Sequence, residues 1–178
     1  MLHLAINGYG RIGRSVFRAL YESHWREQLR VVAINELADA RTVLHLSRYD
    51  STHGRFPLAI EGDRGRLMVG GDEISLLRHP DIHDLHWSDL GVDMVLECTG
   101  AFSDRATAEQ HLKRGASRVL FSQPAQADVD ATVVYGVNHT TLSARDRIVS
   151  NASCTTNAIV PVIQALDEGL GIDCGTIT

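Results

Sequence analysis

Leu2-His3-Leu4-Ala5-Ile6-Asn7-Gly8-Tyr9-Gly10-Arg11-Ile12-Gly13 joins a short apolar run to three glycines spaced Gly-x-Gly-x-x-Gly. Leu2 to Ile6 reads as a buried strand. Ile12, Val16, Phe17, Leu20 and His24 recur at helical spacing and predict a helix over residues 11–24. The glycines therefore occupy a strand-to-helix turn. Gly8 permits the tight turn, Gly10 lets the backbone approach a pyrophosphate, and Gly13 lets the helix pack close to the strand. The helix N-terminus adds free N–H donors and a partial positive charge. Glu36 stands at the end of a second strand, Val31 to Ile34, 23 residues after Gly13. A carboxylate there accepts from both ribose hydroxyls and repels a 2′-phosphate, which favours NAD over NADP. A glycine turn that serves packing alone is the competing reading.

Outward from this turn, short apolar runs alternate with helix-period segments. Thr42 to Arg48 predicts a second helix. Residues 57–61, 67–70 and 74–78 predict short strands, and the glycines between them suggest antiparallel pieces. Val92 to Leu96 predicts a strand and Asp104 to Arg114 a helix stopped by Gly115. Val119 to Phe121, Thr132 to Tyr135 and Ile148 to Val149 follow as strands. The fold class is therefore α/β: a Rossmann-type, doubly wound, mainly parallel sheet with helices on both faces. A boundary near Ser150 separates a dinucleotide-binding domain, 1–150, from 151–178. The latter predicts one helix, 154 to about 168, and one strand, Ile172 to Thr178. These 28 residues either belong to the first domain or begin an incomplete α+β catalytic domain.

Composition narrows the partners. Seventeen Lys and Arg against twenty-two Asp and Glu give a net charge of -5, which argues against nucleic acid or an anionic membrane surface. No apolar run approaches the length of a membrane span. The cysteines, at 98, 154 and 174, are odd in number and include no Cys-x-x-Cys pair. That usage argues against a disulfide framework or zinc site and for a reducing, cytoplasmic compartment. His79, His83 and His86, with Asp81 and Asp84, offer a metal site against a solvated face. Pro80 breaks the helix that would align them, so no metal is expected.

Cys154 lies in Asn151-Ala152-Ser153-Cys154-Thr155-Thr156-Asn157, between a strand and a helix. At a helix start the dipole and free N–H groups favour a thiolate, and a thiolate attacks carbonyl carbon. Ser153 and Thr155 flank it with hydroxyls suited to an oxyanion or phosphate. A small buried apolar cysteine is the competing reading. Cys98 and Cys174 are apolar-flanked and expected in the core. Pro161 removes one backbone donor, which would bend the first turns of the helix.

Together, Gly8–Arg14 and Asn151–Asn157 resemble the glyceraldehyde-3-phosphate dehydrogenase superfamily. Tyr49–Phe56, Glu97–Phe102 and Tyr135–Asn138 agree with it, and the resemblance runs in register along the whole chain. Within it the chain is most similar to the erythrose-4-phosphate dehydrogenase branch, through Glu36 in Ile34–Leu37, Cys98 in Glu97–Gly100, and the stretches Phe121–Pro124 and Asp130–Tyr135. The resemblance implies Cys154 as nucleophile and Ser153 and Thr155 as substrate or phosphate contacts. It implies Arg11 and Ile12 in the coenzyme cradle, Glu36 on the adenosine ribose, and Thr99 and Ser122 near the nicotinamide half. It further implies NAD as cofactor, a small sugar phosphate as substrate and a homotetramer for the full-length parent.

Three departures stand out. Pro80 occupies the place of an adenine-side arginine, with Arg78 as its possible substitute. Ala158 occupies the place of a second cysteine that is not the nucleophile. The family's general-base histidine and its remaining phosphate-binding residues follow the strand expected over 172–178. The 178-residue chain is therefore expected to bind NAD, to turn over little substrate, and to self-associate through surface left unpartnered.

Overall fold

In the computed structural model, which describes residues 1–63 and 65–177, the opening apolar run is strand β1 (Leu2–Asn7) and the glycine turn leads straight into helix α1 (Arg11–Glu22). Strand β2 (Leu29–Asn35) returns parallel to β1. Helix α2 (Ala40–Arg48) follows, started by the Asp39 carboxylate accepting from the Thr42 N–H at 2.8 Å. A small antiparallel pair, β3 (Tyr49–Asp50) and β4 (Gly54–Arg55), closes the next turn. Strands β5 (Ile60–Asp63), β6 (Arg66–Val69) and β7 (Asp72–Leu77) then form an antiparallel meander, and β7 lies parallel to β2.

The second half adds β8 (Met94–Glu97), helix α3 (Arg105–Lys113), β9 (Arg118–Phe121), β10 (Ala131–Thr132), β11 (Ile148–Ser150) and helix α4 (Cys154–Leu170). The nine-stranded sheet runs β10-β11-β9-β8-β1-β2-β7-β6-β5, parallel from β10 to β7. Its inner six, β7-β2-β1-β8-β9-β11, have the doubly wound order 3-2-1-4-5-6. The order reverses between β1 and β8, where the carboxyl ends of the strands open a ligand crevice.

The core explains why β1 is apolar at every central position. Leu4 and Ile6 pack with Phe17 and Leu20 of α1, whereas Ala5 belongs to a separate cluster with Ala33, Trp87 and Val95. A parallel strand buried on both faces needs no polar alternation. A third cluster seats α3 through Ala108 against Val119, Phe121 and Ile148.

Two expectations change. Strand β10 stops at Thr132 rather than Tyr135, because the Asn138 side chain accepts from the Val134 N–H at 2.7 Å and starts a turn. Pro161 sits inside α4, within the helix expected there. No strand forms over 172–177, and Thr178 lies outside the described residues. Backbone groups need partners to make a strand. Here the chain leaves α4 through Gly171, at φ +73°, into an exposed segment with no neighbouring strand.

Candidate active site

The three glycines of the turn do different things. At Gly8, with φ +89°, a Cβ would lie 2.6 Å from both the N and the Cα of Thr99, so the β1 turn touches the β8 loop backbone to backbone. At Gly13 a Cβ would lie 2.3 Å from the Gly8 carbonyl oxygen. Both glycines are required by the protein's own packing. At Gly10 a Cβ would meet nothing within 4 Å, so the space above this residue is open. Gly10 is also the N-cap of α1 and supplies no side-chain cap. The first N–H groups of the helix are thus left to an external acceptor. Tyr9 is an anchor instead: its ring is buried against Phe17, and its hydroxyl meets Ser47 Oγ at 3.0 Å.

Glu36 ties the turn to the end of β2. Its Oε2 accepts from the Tyr9 N–H at 2.8 Å and its Oε1 from the Ala38 N–H at 3.1 Å. The carboxylate borders a crevice of about 360 Å³ lined by Gly8, Gly10, Glu36, Pro80, Thr99 and Phe102, among others. Its remaining lone pairs can take hydroxyl donors. Arg78 is outside this lining; its Nε donates to the Leu37 carbonyl at 2.7 Å. Of the histidine cluster, only His79 borders the crevice, and His83 pairs with Asp81 at 2.9 Å on the surface.

A second, apolar groove of about 680 Å³ opens on the α1 side of the sheet. Ile12, Val16, Leu96, Ser122 and Cys154 line it, and Cys98 borders both hollows. The predicted residues therefore separate. Gly8, Gly10, Glu36 and Thr99 face the crevice, whereas Ile12, Ser122, Ser153 and Cys154 face the groove beyond the turn. Arg11 and Thr155 are exposed and border neither.

The segment around Cys154 is held by its backbone. Ala152 adopts φ +55°, an unusual conformation for a residue with a Cβ, while only 5% exposed. Its N–H donates to Ser150 Oγ at 3.1 Å. This bend turns the chain from β11 into α4 and puts Ser153 at the N-cap, where its Oγ accepts from the Thr156 N–H at 2.9 Å. Asn157 Nδ2 donates to the carbonyls of Asn151 and Ser153, at 2.6 and 2.9 Å. Cys154, the first helical residue, is left exposed. Ser153, a candidate substrate contact, has a structural duty in its capping bond.

The other cysteines differ. Burial pushes the Cys98 thiol up to about 11; a hydrogen bond with Ser122 opposes the shift and the charge of Glu97 adds to it. Cys98 is thus protonated at neutral pH and a poor nucleophile. Cys174, expected in the core, is exposed.

Sequence reasoning missed the polar network beneath the crevice. His79 N–H donates to Asn35 Oδ1, at 2.9 Å, so Asn35 Nδ2 donates to Asn7 Oδ1, at 2.8 Å. Asn7 Nδ2 in turn donates to Glu97 Oε2, at 2.6 Å. From the other side Trp87 Nε1 donates to His111 Nδ1, at 3.0 Å, and His111 Nε2 meets Glu97 Oε2, at 3.2 Å. The signal in the sequence was a polar residue closing each apolar run: Asn7, Asn35 and Glu97. A protein-family model described as glyceraldehyde 3-phosphate dehydrogenase, NAD binding domain, matches residues 2–105, a span that holds the glycine turn, Glu36, Glu97 and Thr99.

Proposed function

The chain belongs to the glyceraldehyde 3-phosphate dehydrogenase NAD-binding family, and from that premise we propose that it carries the coenzyme site and the nucleophile of a sugar-phosphate aldehyde dehydrogenase. The cofactor is NAD, and the residues present fit it: open space at Gly10, an uncapped helix start and the Glu36 carboxylate at the crevice. When bound, NAD supplies the hydride acceptor. In this reading the N–H groups of the α1 start hold the pyrophosphate and Glu36 takes the ribose hydroxyls. Thr99 and Ser122 border the nicotinamide half.

The observation that carries the reading is that Cys154 shares one groove with Ile12 and Ser122, just past the glycine turn. The Cys154 sulfur adds to the aldehyde carbon and forms a hemithioacetal. Loss of the former aldehyde hydrogen as hydride, together with the hydroxyl proton, would leave a thioester on Cys154, and water would then cleave it to a carboxylic acid and the free thiol. Ser153 and Thr155 offer hydroxyls to the substrate. We take erythrose 4-phosphate, oxidised to 4-phosphoerythronate, as the aldehyde, because Ile34–Leu37 and Glu97–Gly100 resemble that branch. The second reading takes glyceraldehyde 3-phosphate, the aldehyde named in the description of the matched family, with inorganic phosphate in place of water at the thioester.

We assign 1–150 to the dinucleotide domain and 151–178 to the start of a catalytic domain. The sheet's last strand ends at Ser150, and α4 buries no residue. The exposed apolar residues Val162, Ile163, Leu166 and Leu170 favour self-association, for which we propose a tetramer. Among the described residues no helix is long and apolar enough to cross a membrane. A reducing, cytoplasmic setting suits an exposed working thiol.

The test is alkylation with iodoacetamide, followed by peptide mass spectrometry. Saturating NAD is expected to change the Cys154 rate severalfold and to leave Cys174 unchanged. Equal effects on both cysteines would break the link between coenzyme and nucleophile. The mass of the adduct trapped on Cys154, absent in Cys154→Ser, then identifies which sugar phosphate is accepted.

A further inference from the structure

Strands β8 and β9 are covered on one face by α3, which packs through Ala108 on Val119 and Phe121. Side chains alternate along a strand, so Leu96 and Leu120 point to the other face, the α1 side. There Leu2, Met94, Leu96 and Leu120 floor the apolar groove, and Ile12 and Val16 of α1 form its wall. Among the described residues none that lines this groove is charged. Helix α4 carries a matching surface. Val162, Ile163, Leu166 and Leu170 lie on one helical face, all are exposed, and no residue from Cys154 to Leu166 is charged. Within one chain the two surfaces stay apart: Cys154 and Asn157, in the first turn of α4, rim the groove, and the stripe farther along remains in solvent.

Charge sets a direction. The β8–β9 register pairs Met94 with Arg118 and Leu96 with Leu120, so Arg118 stands on the groove face at the amino end of β9, the end away from Cys154. Asp167 flanks the stripe on α4. Among the described residues neither Arg118 nor Asp167 forms an ion pair. Area sets a scale. A fully exposed aliphatic side chain offers roughly 100 Å² and a tryptophan roughly 200 Å². The four stripe residues together with half-exposed Leu2, Ile12, Val16 and Trp25 then bury on the order of 900 Å² of apolar surface when two copies exchange helices. A stable interface of about 1,600 Å², slightly over half of it apolar, needs that much. We propose that two copies of this chain associate reciprocally, each laying α4 into the other's groove with Asp167 against Arg118. This is an amphipathic helix in an apolar groove, repeated by a twofold axis. The inference rests on the self-association proposed above and supplies one interface of that tetramer.

The test follows light scattering and tryptophan emission of the 178-residue chain over a concentration series. Trp25 lines the groove at 48% exposed and Trp87 is 0% exposed, so a blue shift on association reports the groove. Arg118→Asp and Asp167→Arg each place like charges at both contacts and are expected to raise the dissociation constant tenfold or more. In an equal mixture of the two variants both contacts pair opposite charges again, and the constant should return to within about threefold of wild type. Variants that associate like wild type, or a mixture that stays weak, overturn the proposal. So does a wild-type oligomer whose emission does not move with concentration, although self-association then stands. A chain that stays monomeric at every concentration overturns both. If either variant fails to fold by circular dichroism, the wild-type emission decides alone: a blue shift supports the proposal and a constant spectrum overturns it.

Discussion

Alanine at Gly8 and at Gly10 should separate folding from coenzyme binding, although the two positions are two residues apart. At Gly8 the new methyl would sit 2.6 Å from the Thr99 N and Cα and 2.8 Å from the Cys98 carbonyl carbon, all backbone atoms with little freedom to yield. Forcing a methyl into packed surroundings typically costs about 1–3 kcal/mol. Holding a Cβ-bearing residue at φ +89° adds about 1–2 kcal/mol. Gly8→Ala should therefore lose about 2–5 kcal/mol, a large share of the ~5–15 kcal/mol that stabilises a typical domain. At Gly10, with φ −71°, the methyl meets no protein atom within 4 Å, so stability should change by no more than ~0.5 kcal/mol. The same methyl would stand where a pyrophosphate must approach the helix start, and a tenfold or greater loss of NAD affinity, about 1.4 kcal/mol, is expected. Urea unfolding with and without NAD reads both effects. Wild type at 100 times its Kd should gain about 2.7 kcal/mol from the ligand, and Gly10→Ala, at the same NAD concentration, should lose about half of that gain or more. A Gly10→Ala protein that binds NAD like wild type, or one that unfolds as readily as Gly8→Ala, would refute the reasoning.

At pH 7.5 alkylation should modify exposed Cys154 and Cys174 and spare Cys98, whose thiol should react only as pH climbs toward about 11, as peptide mass mapping would show. Burial opposes ionisation of Asp72, but Arg30, Tyr21 and Arg26 outweigh it and hold its carboxyl below the usual range. A depressed carboxyl contributes stability above its unfolded value, near 3.9, and loses it as pH falls through the lower folded value; Asp72→Asn should flatten acid unfolding on the acid side of about pH 4. Ala152→Gly should relax the φ +55° bend and leave stability equal or up to ~1 kcal/mol higher, whereas Ala152→Val should lower the melting temperature. Light scattering should find oligomers that shrink when Leu166 and Leu170, both exposed on α4, are replaced by Glu; an unchanged size would point to a different surface.

The sequence by itself determined the parallel sheet and the place of its ligand crevice. Spacing of apolar residues in Leu2–Ile6, Val31–Ile34 and Val92–Leu96 encodes buried strands, and three glycines at fixed offsets encode a turn that few other residues could make. These are local properties, set by periodicity and by backbone sterics within a dozen residues. It also placed Cys154 at a helix start. Only the tertiary structure decided which glycine is free for a ligand, because Gly8 is crowded by the loop after β8 and Gly13 by Gly8 and by Ile6 of β1, while Gly10 is not. It likewise assembled the buried cluster around Glu97, whose hydrogen-bond partners come from Asn7, Thr99 and His111, on three different segments. The bend at Ala152 carried no signature, since alanine is not a residue that favours positive φ. The strand expected over 172–178 failed over its described part for a related reason. An apolar run can specify a strand's side chains, but its backbone hydrogen bonds must come from a neighbour that no local pattern supplies.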